Sequence, residues 1–265
     1  MEINIHQALW GLEGSYRDQL AMAAAKGYAG IEAPLPPEHQ AEEFRGLLKE
    51  LSLTYIAQVV TSGNHEESFA EQAHRAAEFE PILIVSHSAK DSMHWDKQLQ
   101  FFESALRVEK AIGIQVGHET HRSRAMFTPW ATAALLRALP DLRITADLSH
   151  WCCVTESLLE DNEEDLKLAL ERAIHIHGRV GYAEGPQVPH PGAPEYAVEL
   201  NRFQTWWQEI IRLRKSEGKE FMTITPEFGP AASGYMHTQP YTGQPVVDMI
   251  KVNDWMAERI RTFEV

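Results

Sequence analysis

The sequence predicts an α/β fold, a single (β/α)8 barrel spanning residues 1–265, and three observations carry that prediction. The chain has 265 residues, close to the roughly 250 that an eightfold barrel takes as one domain. Short apolar runs alternate with amphipathic helical stretches eight times along it. Four side chains of metal-ligating type, Glu119, Asp147, His177 and Glu227, end strand-like runs at separations of 28, 30 and 50 residues, where one βα unit takes about 30.

Strand one is read over Ile3 to Ala8, with Ser15 as the N-cap of a helix that runs to Lys26 and is stopped by Gly27. Ala29 to Ala33 is strand two. The Pro34–Leu35–Pro36–Pro37 break then gives way to an amphipathic helix from Glu38 to Leu51, with Phe44, Leu47, Leu48 and Leu51 on one face. Tyr55 to Val60 is strand three and His65 to Phe79 helix three. Ile82 to Val85 is a fully covered parallel strand by its composition, and His87 ends it. Helix four spans Trp95 to Ala111. Gln115 to Thr120 is the strand that carries Glu119, and helix five runs from Pro129 to Leu139.

Ile144 to Trp151 reads as a short strand that presents Asp147 and then His150 where a loop begins. A carboxylate at the end of a buried strand requires a cation, because an unpaired buried charge costs several kcal/mol. Acidic Glu160 to Asp165 opens the next helix, the favourable end for negative charge, and that helix ends near Arg172. Ala173 to His177 is strand seven. The Gly- and Pro-rich stretch 178–194 is read as a working loop. Glu195 to Glu217 is a long helix stopped by Gly218, Phe221 to Glu227 is strand eight, and Pro245 opens a last helix to about Thr262.

The formal net charge of −14 argues against a nucleic-acid partner. The N-terminus has no basic region followed by an apolar one, and no stretch approaches the roughly 18 apolar residues of a membrane span, so a cytoplasmic protein without a membrane partner is expected. Cys152 and Cys153 are adjacent, form no ordinary disulfide and indicate a reducing compartment. They are buried packing residues or, alternatively, thiolate ligands. Gly178, Gly181 and Gly185 lack the spacing of a dinucleotide fingerprint, so no nucleotide cofactor is expected.

In a barrel of this kind the chemistry sits at the C-terminal ends of the strands, where all four ligand candidates fall, on strands five to eight. Three carboxylates and one imidazole suit one divalent ion, Mn²⁺, Mg²⁺, Co²⁺ or Zn²⁺, with positions left for adjacent oxygens of a small sugar or polyol. Such an ion stabilises an enediolate. Glu119 and Glu227, expected to face each other across the ring, would then serve as the catalytic acid and base.

Gly27–Tyr28–Ala29–Gly30–Ile31–Glu32, Glu119–Thr120–His121–Arg122, Asp147–Leu148–Ser149–His150, His175–Ile176–His177 and Pro226–Glu227 together resemble, in order and spacing, the xylose isomerase-like TIM-barrel superfamily. This group of sugar and sugar-phosphate isomerases and epimerases also contains endonuclease IV, and the resemblance covers essentially the whole chain. It implies Glu119, Asp147, His177 and Glu227 as metal ligands, His150 as a substrate or second-metal group, and a basic residue after strand seven, here Arg179, on substrate oxygens. The two glutamates are the acid/base pair of the superfamily's ketose 3-epimerases. The endonuclease places an Asp-x-His in the loop after strand seven; here Val188–Pro189–His190 lacks the aspartate, although His87, His150 and His190 remain as second-metal candidates.

Glu32 binds a substrate hydroxyl or pairs with a neighbouring cation; Trp10 and Trp151 line a sugar site or pack under loops. Arg122 and Arg124 receive a substrate phosphate or carboxylate, or are solvated. His6, His118 and His175 read as core histidines, with His118 pointing outward and His175 one layer below His177. Trp206 and Trp207 cannot share a helix face, so one of them is a candidate contact for a homo-oligomer. The expected activity is isomerisation or epimerisation of a small keto-sugar, sugar phosphate or related polyol. The alternatives are dehydration of a keto-polyol such as a keto-inositol, a sugar- or metal-binding barrel without turnover, and an endonuclease IV-like phosphodiesterase.

Overall fold

A computed structural model describes residues 1–264, in which eight parallel strands close into a barrel in sequence order. The elements are β1 Glu2–Ala8, α1 Tyr16–Ala25, β2 Gly30–Pro34, α2 Ala41–Glu50, β3 Thr54–Val60, α3 His65–Ala77, β4 Leu83–His87, α4 Trp95–Ile112, β5 Val116–Glu119, α5 Pro129–Ala138, β6 Ile144–Ala146, α6 Ser149–Thr155, α7 Glu163–Arg172, β7 Ala173–Gly178, α8 Ala197–Ser216, β8 Phe221–Pro226 and α9 Met249–Arg261. No helix among the described residues is long and apolar enough to cross a membrane.

Local chemistry sets the element ends. Ser15 and Asp18 form a reciprocal capping box at α1. Thr128 caps α5 with Pro129 in its first turn, and Gly113, at φ 71°, closes α4 in the left-handed region. Two expectations are corrected. Strand six stops at Ala146, and the residues after Leu148 turn at once into the short helix α6, so His150 and Trp151 are helical. The last helix starts at Met249, because the Asp248 side chain accepts hydrogen bonds from the Ile250 and Lys251 amides, whereas Pro245 lies upstream in a bridge to Thr238.

Alternate strand residues face the lumen and the helices. Tyr55, Ala57, Val59 and Ile84 belong to the main core between strands and helices, while Ile56, Leu83 and Val85 form a separate small cluster with Ile174. On the same alternation His118 points outward as expected, packed among Phe69, Phe101 and Phe102. His6 is a satisfied barrel histidine, its Nε2 2.9 Å from Thr54 Oγ1. Trp206 and Trp207 are both buried within the chain, so neither offers a surface to a second copy.

Gly30 has a steric reason. A Cβ there would stand 2.2 Å from the Thr54 carbonyl oxygen and 2.8 Å from His6 Cδ2, contacts that the closed ring cannot relieve by moving one flexible side chain. Gly46, exposed in α2, has open space around it. Gly30→Ala should therefore destabilise the protein by about 3 kcal/mol, and Gly46→Ala should stabilise it by up to about 1 kcal/mol; urea unfolding followed by circular dichroism measures both.

Candidate metal centre

Each of the last four strands contributes one side chain to the same point at the C-terminal rim. Glu119 ends β5, Asp147 follows β6, His177 lies within β7 and Glu227 follows β8. One ligand atom from each can be chosen so that all lie within 4.8 Å of one another, and all four residues are buried. An ion bound at about 2.1 Å sets opposing ligands about 4.2 Å apart, so the group needs only a small contraction to hold one.

The unpaired atoms point to the same conclusion. Glu119 Oε2 is 2.6 Å from His87 Nε2 and Glu227 Oε2 is 2.9 Å from His177 Nδ1, but neither oxygen receives a hydrogen bond of workable direction, and both ring nitrogens of His150 are likewise unpartnered. Orphaned buried acceptors are rare in folded proteins and call for a cation or other partner. The residues fit a single divalent ion with oxygen-rich coordination.

Arg179, two residues past His177, supplies the fixed positive charge. Its Nη2 is 2.5 Å from Glu227 Oε1 and its Nε donates to Asp147 Oδ2 at 3.2 Å. Nη1 donates to Gln187 Oε1 at 2.8 Å and to the Gly229 carbonyl at 3.1 Å. The Tyr235 ring covers it, with the guanidinium carbon 4.2 Å from the ring centroid. Arg179 thus braces two of the converging carboxylates, from the loop position at which a basic residue for substrate oxygens was expected.

Burial opposes charge throughout the cluster, and specific neighbours decide which groups ionise. Burial pushes Asp147 up to about 7, against the pull of Arg179 and with Glu227 and Glu119 adding to the rise. Glu119 and Glu227 stay below the usual carboxylate range despite burial, Glu119 through the charges of His87 and His177, Glu227 through those of Arg179 and His177. His177 lies well above the ordinary imidazole value, because Glu32, Glu227 and Glu119 outweigh its burial. His150 is held well below that value by burial, and His121 is lowered to about 4 by the same cause.

The other expected residues divide. His150 belongs to the site, its Nε2 3.4 Å from Asp147 Oδ2. Trp10 walls it, its ring centroid 6.1 Å from that of His177. Arg122 sits at the edge, its guanidinium carbon 5.3 Å from the Tyr235 centroid, whereas Arg124 ties loops together through the Thr61 and Ala89 carbonyls. Trp151 is a packing residue: fully buried, it donates its indole N–H to the Met126 carbonyl at 3.1 Å. Glu32 has no free face for substrate, since both its oxygens bond to buried side chains.

Of the second-metal candidates, His87 joins Glu119 and His121 in a further group close enough to hold an ion. His190 belongs to no such group among the described residues; its ring packs 6.0 Å from Trp255 and its Nδ1 accepts from the Gly192 amide. Cys152 is buried and Cys153 partly covered, and neither joins a ligand group among the described residues. Sequence reasoning missed His121, Gln187 and Tyr235. His121 had a signal, two residues beyond Glu119 in the same rim loop. Tyr235 had none, because it lies in a connection without periodicity, yet its hydroxyl is 3.2 Å from His121 Nε2.

No protein-family model matches the chain, and no curated protein matches it. Solved structures do. A xylose isomerase-like TIM barrel protein from Mycobacterium smegmatis, in complex with magnesium, is 15% identical with a TM-score of 0.65, over 97% of this chain and 95% of that one. A D-tagatose 3-epimerase-like protein is 15% identical at TM-score 0.65, over 98% and 97%. The probable 3-DHS dehydratase AsbF of Bacillus anthracis is 18% identical at TM-score 0.59, over 89% and 96%. At these identities the likeness establishes the fold, a (β/α)8 barrel shared with these proteins.

Metal binding should displace protons, since ligands bind in their deprotonated forms. Below about pH 7 both the Asp147 carboxyl and the His177 cation must each lose a proton; above it only His177 must. The logarithm of apparent Mn²⁺ affinity should then rise by about two per pH unit below about pH 7 and by about one above it. Titration of the metal-free protein across that range measures both slopes.

Proposed function

We propose that this protein is a divalent-metal-dependent isomerase or epimerase acting on a small keto-sugar, sugar phosphate or related polyol by proton transfer through an enediolate. The observation that carries the reading is the convergence of Glu119, Asp147, His177 and Glu227 on one buried point. The divalent ion would supply Lewis-acid polarisation of the carbonyl oxygen. Glu119, Asp147, His177 and Glu227 would hold it; Asp147 has its Oδ1 engaged by the Ser149 amide at 3.0 Å and by the Ser149 hydroxyl, which orients its other oxygen.

Glu119 and Glu227 are the proton carriers in this reading. They come from β5 and β8, which are separated by β6 and β7 in the ring, so they converge from adjoining sides of the rim and do not face one another directly across it. Glu227 is anchored by Arg179 through Oε1, which leaves Oε2 as the oxygen for proton exchange. Glu119 offers Oε2 in the same way, beside His87. Trp10 would bound the substrate on one side, and His150, neutral and unpartnered, would take a hydroxyl hydrogen bond.

A second reading shares the first proton abstraction and then loses water. It draws on the likeness to the probable 3-DHS dehydratase. Turnover of a keto-sugar panel in deuterium oxide separates the two: an isomerase or epimerase incorporates deuterium at the carbon next to the carbonyl with no change in composition, and a dehydratase gives a product lighter by one water. Metal-loaded protein that turns over substrate without such exchange would exclude enediolate chemistry. Glu227→Gln should lower kcat by about 10²- to 10⁴-fold while leaving the circular dichroism spectrum unchanged.

A further inference from the structure

We propose that Glu32 is a positioning residue that selects Nδ1 of His177 as the nitrogen offered to the metal; this rests on the reading of the rim as a metal centre. Glu32 comes from β2, separated from β7 by β8 and β1 in the ring, and is completely buried. Its Oε1 is 2.9 Å from His177 Nε2. Its Oε2 is 3.1 Å from His175 Nε2 and accepts from the Thr225 hydroxyl at 2.6 Å. His175 Nδ1 in turn lies 2.7 Å from Thr223 Oγ1. The strand register builds this arrangement, pairing His175 with Thr223 and His177 with Thr225.

An ionised carboxylate only accepts hydrogen bonds. Both imidazoles must therefore carry their proton on Nε2 where they meet Glu32. The His177 cation also carries a proton on Nδ1, which donates to Glu119 Oε1 at 3.3 Å and lies 2.9 Å from Glu227 Oε2. With Nε2–H held by Glu32, the Nδ1 proton is the one given up on metal binding, and its loss leaves Nδ1 as the lone-pair nitrogen toward the ligand group. His175 accepts from Thr223 through Nδ1, so its ring is fixed by the same logic. Every side-chain acceptor of Glu32 is satisfied, in contrast to the orphaned oxygens of Glu119 and Glu227 a few ångströms above. A carboxylate behind a ligating imidazole fixes both the tautomer and the ring orientation, and it raises the basicity of the ligating nitrogen.

Glu32→Gln keeps the volume but turns one oxygen into a donor. The new amide N–H₂ would face an imidazole N–H, and the conflict is relieved by moving a proton to Nδ1 or by rotating a ring, either of which spoils the ligand. The test measures Mn²⁺ affinity by the loss of the free-ion electron paramagnetic resonance signal, and nitrogen-15 spectra of the Zn²⁺-loaded protein. Glu32→Gln should weaken Mn²⁺ binding about 10- to 100-fold. Thr223→Val, which removes a hydrogen bond from the same network and leaves the Glu32–His177 pair in place, should leave it within about threefold. Glu32→Asp keeps the charge, should fall between Glu32→Gln and wild type, and decides the matter if Glu32→Gln does not fold. In the Zn²⁺-loaded wild type His177 should be protonated at Nε2 and coordinated through Nδ1.

The proposal is overturned if Glu32→Gln binds Mn²⁺ as wild type does, if Thr223→Val loses as much affinity as Glu32→Gln, if Glu32→Asp binds more weakly than Glu32→Gln, or if Zn²⁺ sits on Nε2. Wild-type protein that binds neither ion would remove the metal centre and this role together, whereas normal wild-type binding with an indifferent Glu32→Gln removes this role alone.

Discussion

Mutual repulsion of buried carboxylates is the constraint on which this structure turns. Glu119, Asp147 and Glu227 share a space within 4.8 Å, Glu32 lies just beneath, and all four are shielded from water. Like charges at such separations in a medium of low polarity cannot all persist without cations. The protein answers with His177 between Glu32 and the upper pair, and with Arg179 between Asp147 and Glu227. Asp147, the member least served, is the one whose proton affinity rises. The imbalance that remains would favour a divalent ion at this point.

The barrel is what makes such crowding tolerable. Closure removes every sheet edge, and the strand alternation directs Glu119, Asp147 and His177 into one lumen from parallel, hydrogen-bonded backbones. A rigid ring lets a few polar groups be held against their own repulsion, because the apolar packing between strands and helices supplies the stability that the site does not. The upper cover comes from the irregular connections: Gln187 accepts from Arg179 and from the Gly229 amide and donates to the Tyr235 carbonyl. One amide side chain thereby joins the loop after β7 to the connection after β8, above the ligands.

Much of this was legible in the chain itself. The apolar strand runs and amphipathic helices were readable because their periods differ and glycines or prolines punctuate them. The helix α6 was not, since its seven residues Ser149–Thr155 carry no side-chain cap and follow Asp147 without a break. The residue types that converge at the rim, Glu119, Asp147, His177 and Glu227, were legible from type and spacing. Glu32 and Trp151 were read as rim groups because both stand near strand ends; what decides their roles is depth. Glu32 lies two residues before the end of β2 and bonds to His175 and His177 within the lumen, and Trp151 on α6 is buried with its indole N–H on the Met126 carbonyl.

The amino-acid sequence by itself determined the alternation of strands and helices and the residue types available at each strand end, because these depend on local periodicity and on chemistry that no neighbour is needed to define. Tertiary structure alone decided which of those residues meet. The pairing of Glu32 with His177, 145 positions along the chain, and the placing of Tyr235 over Arg179 follow from ring closure and from the course of irregular loops. Contacts of that kind are set by packing in three dimensions and leave no periodic trace in one.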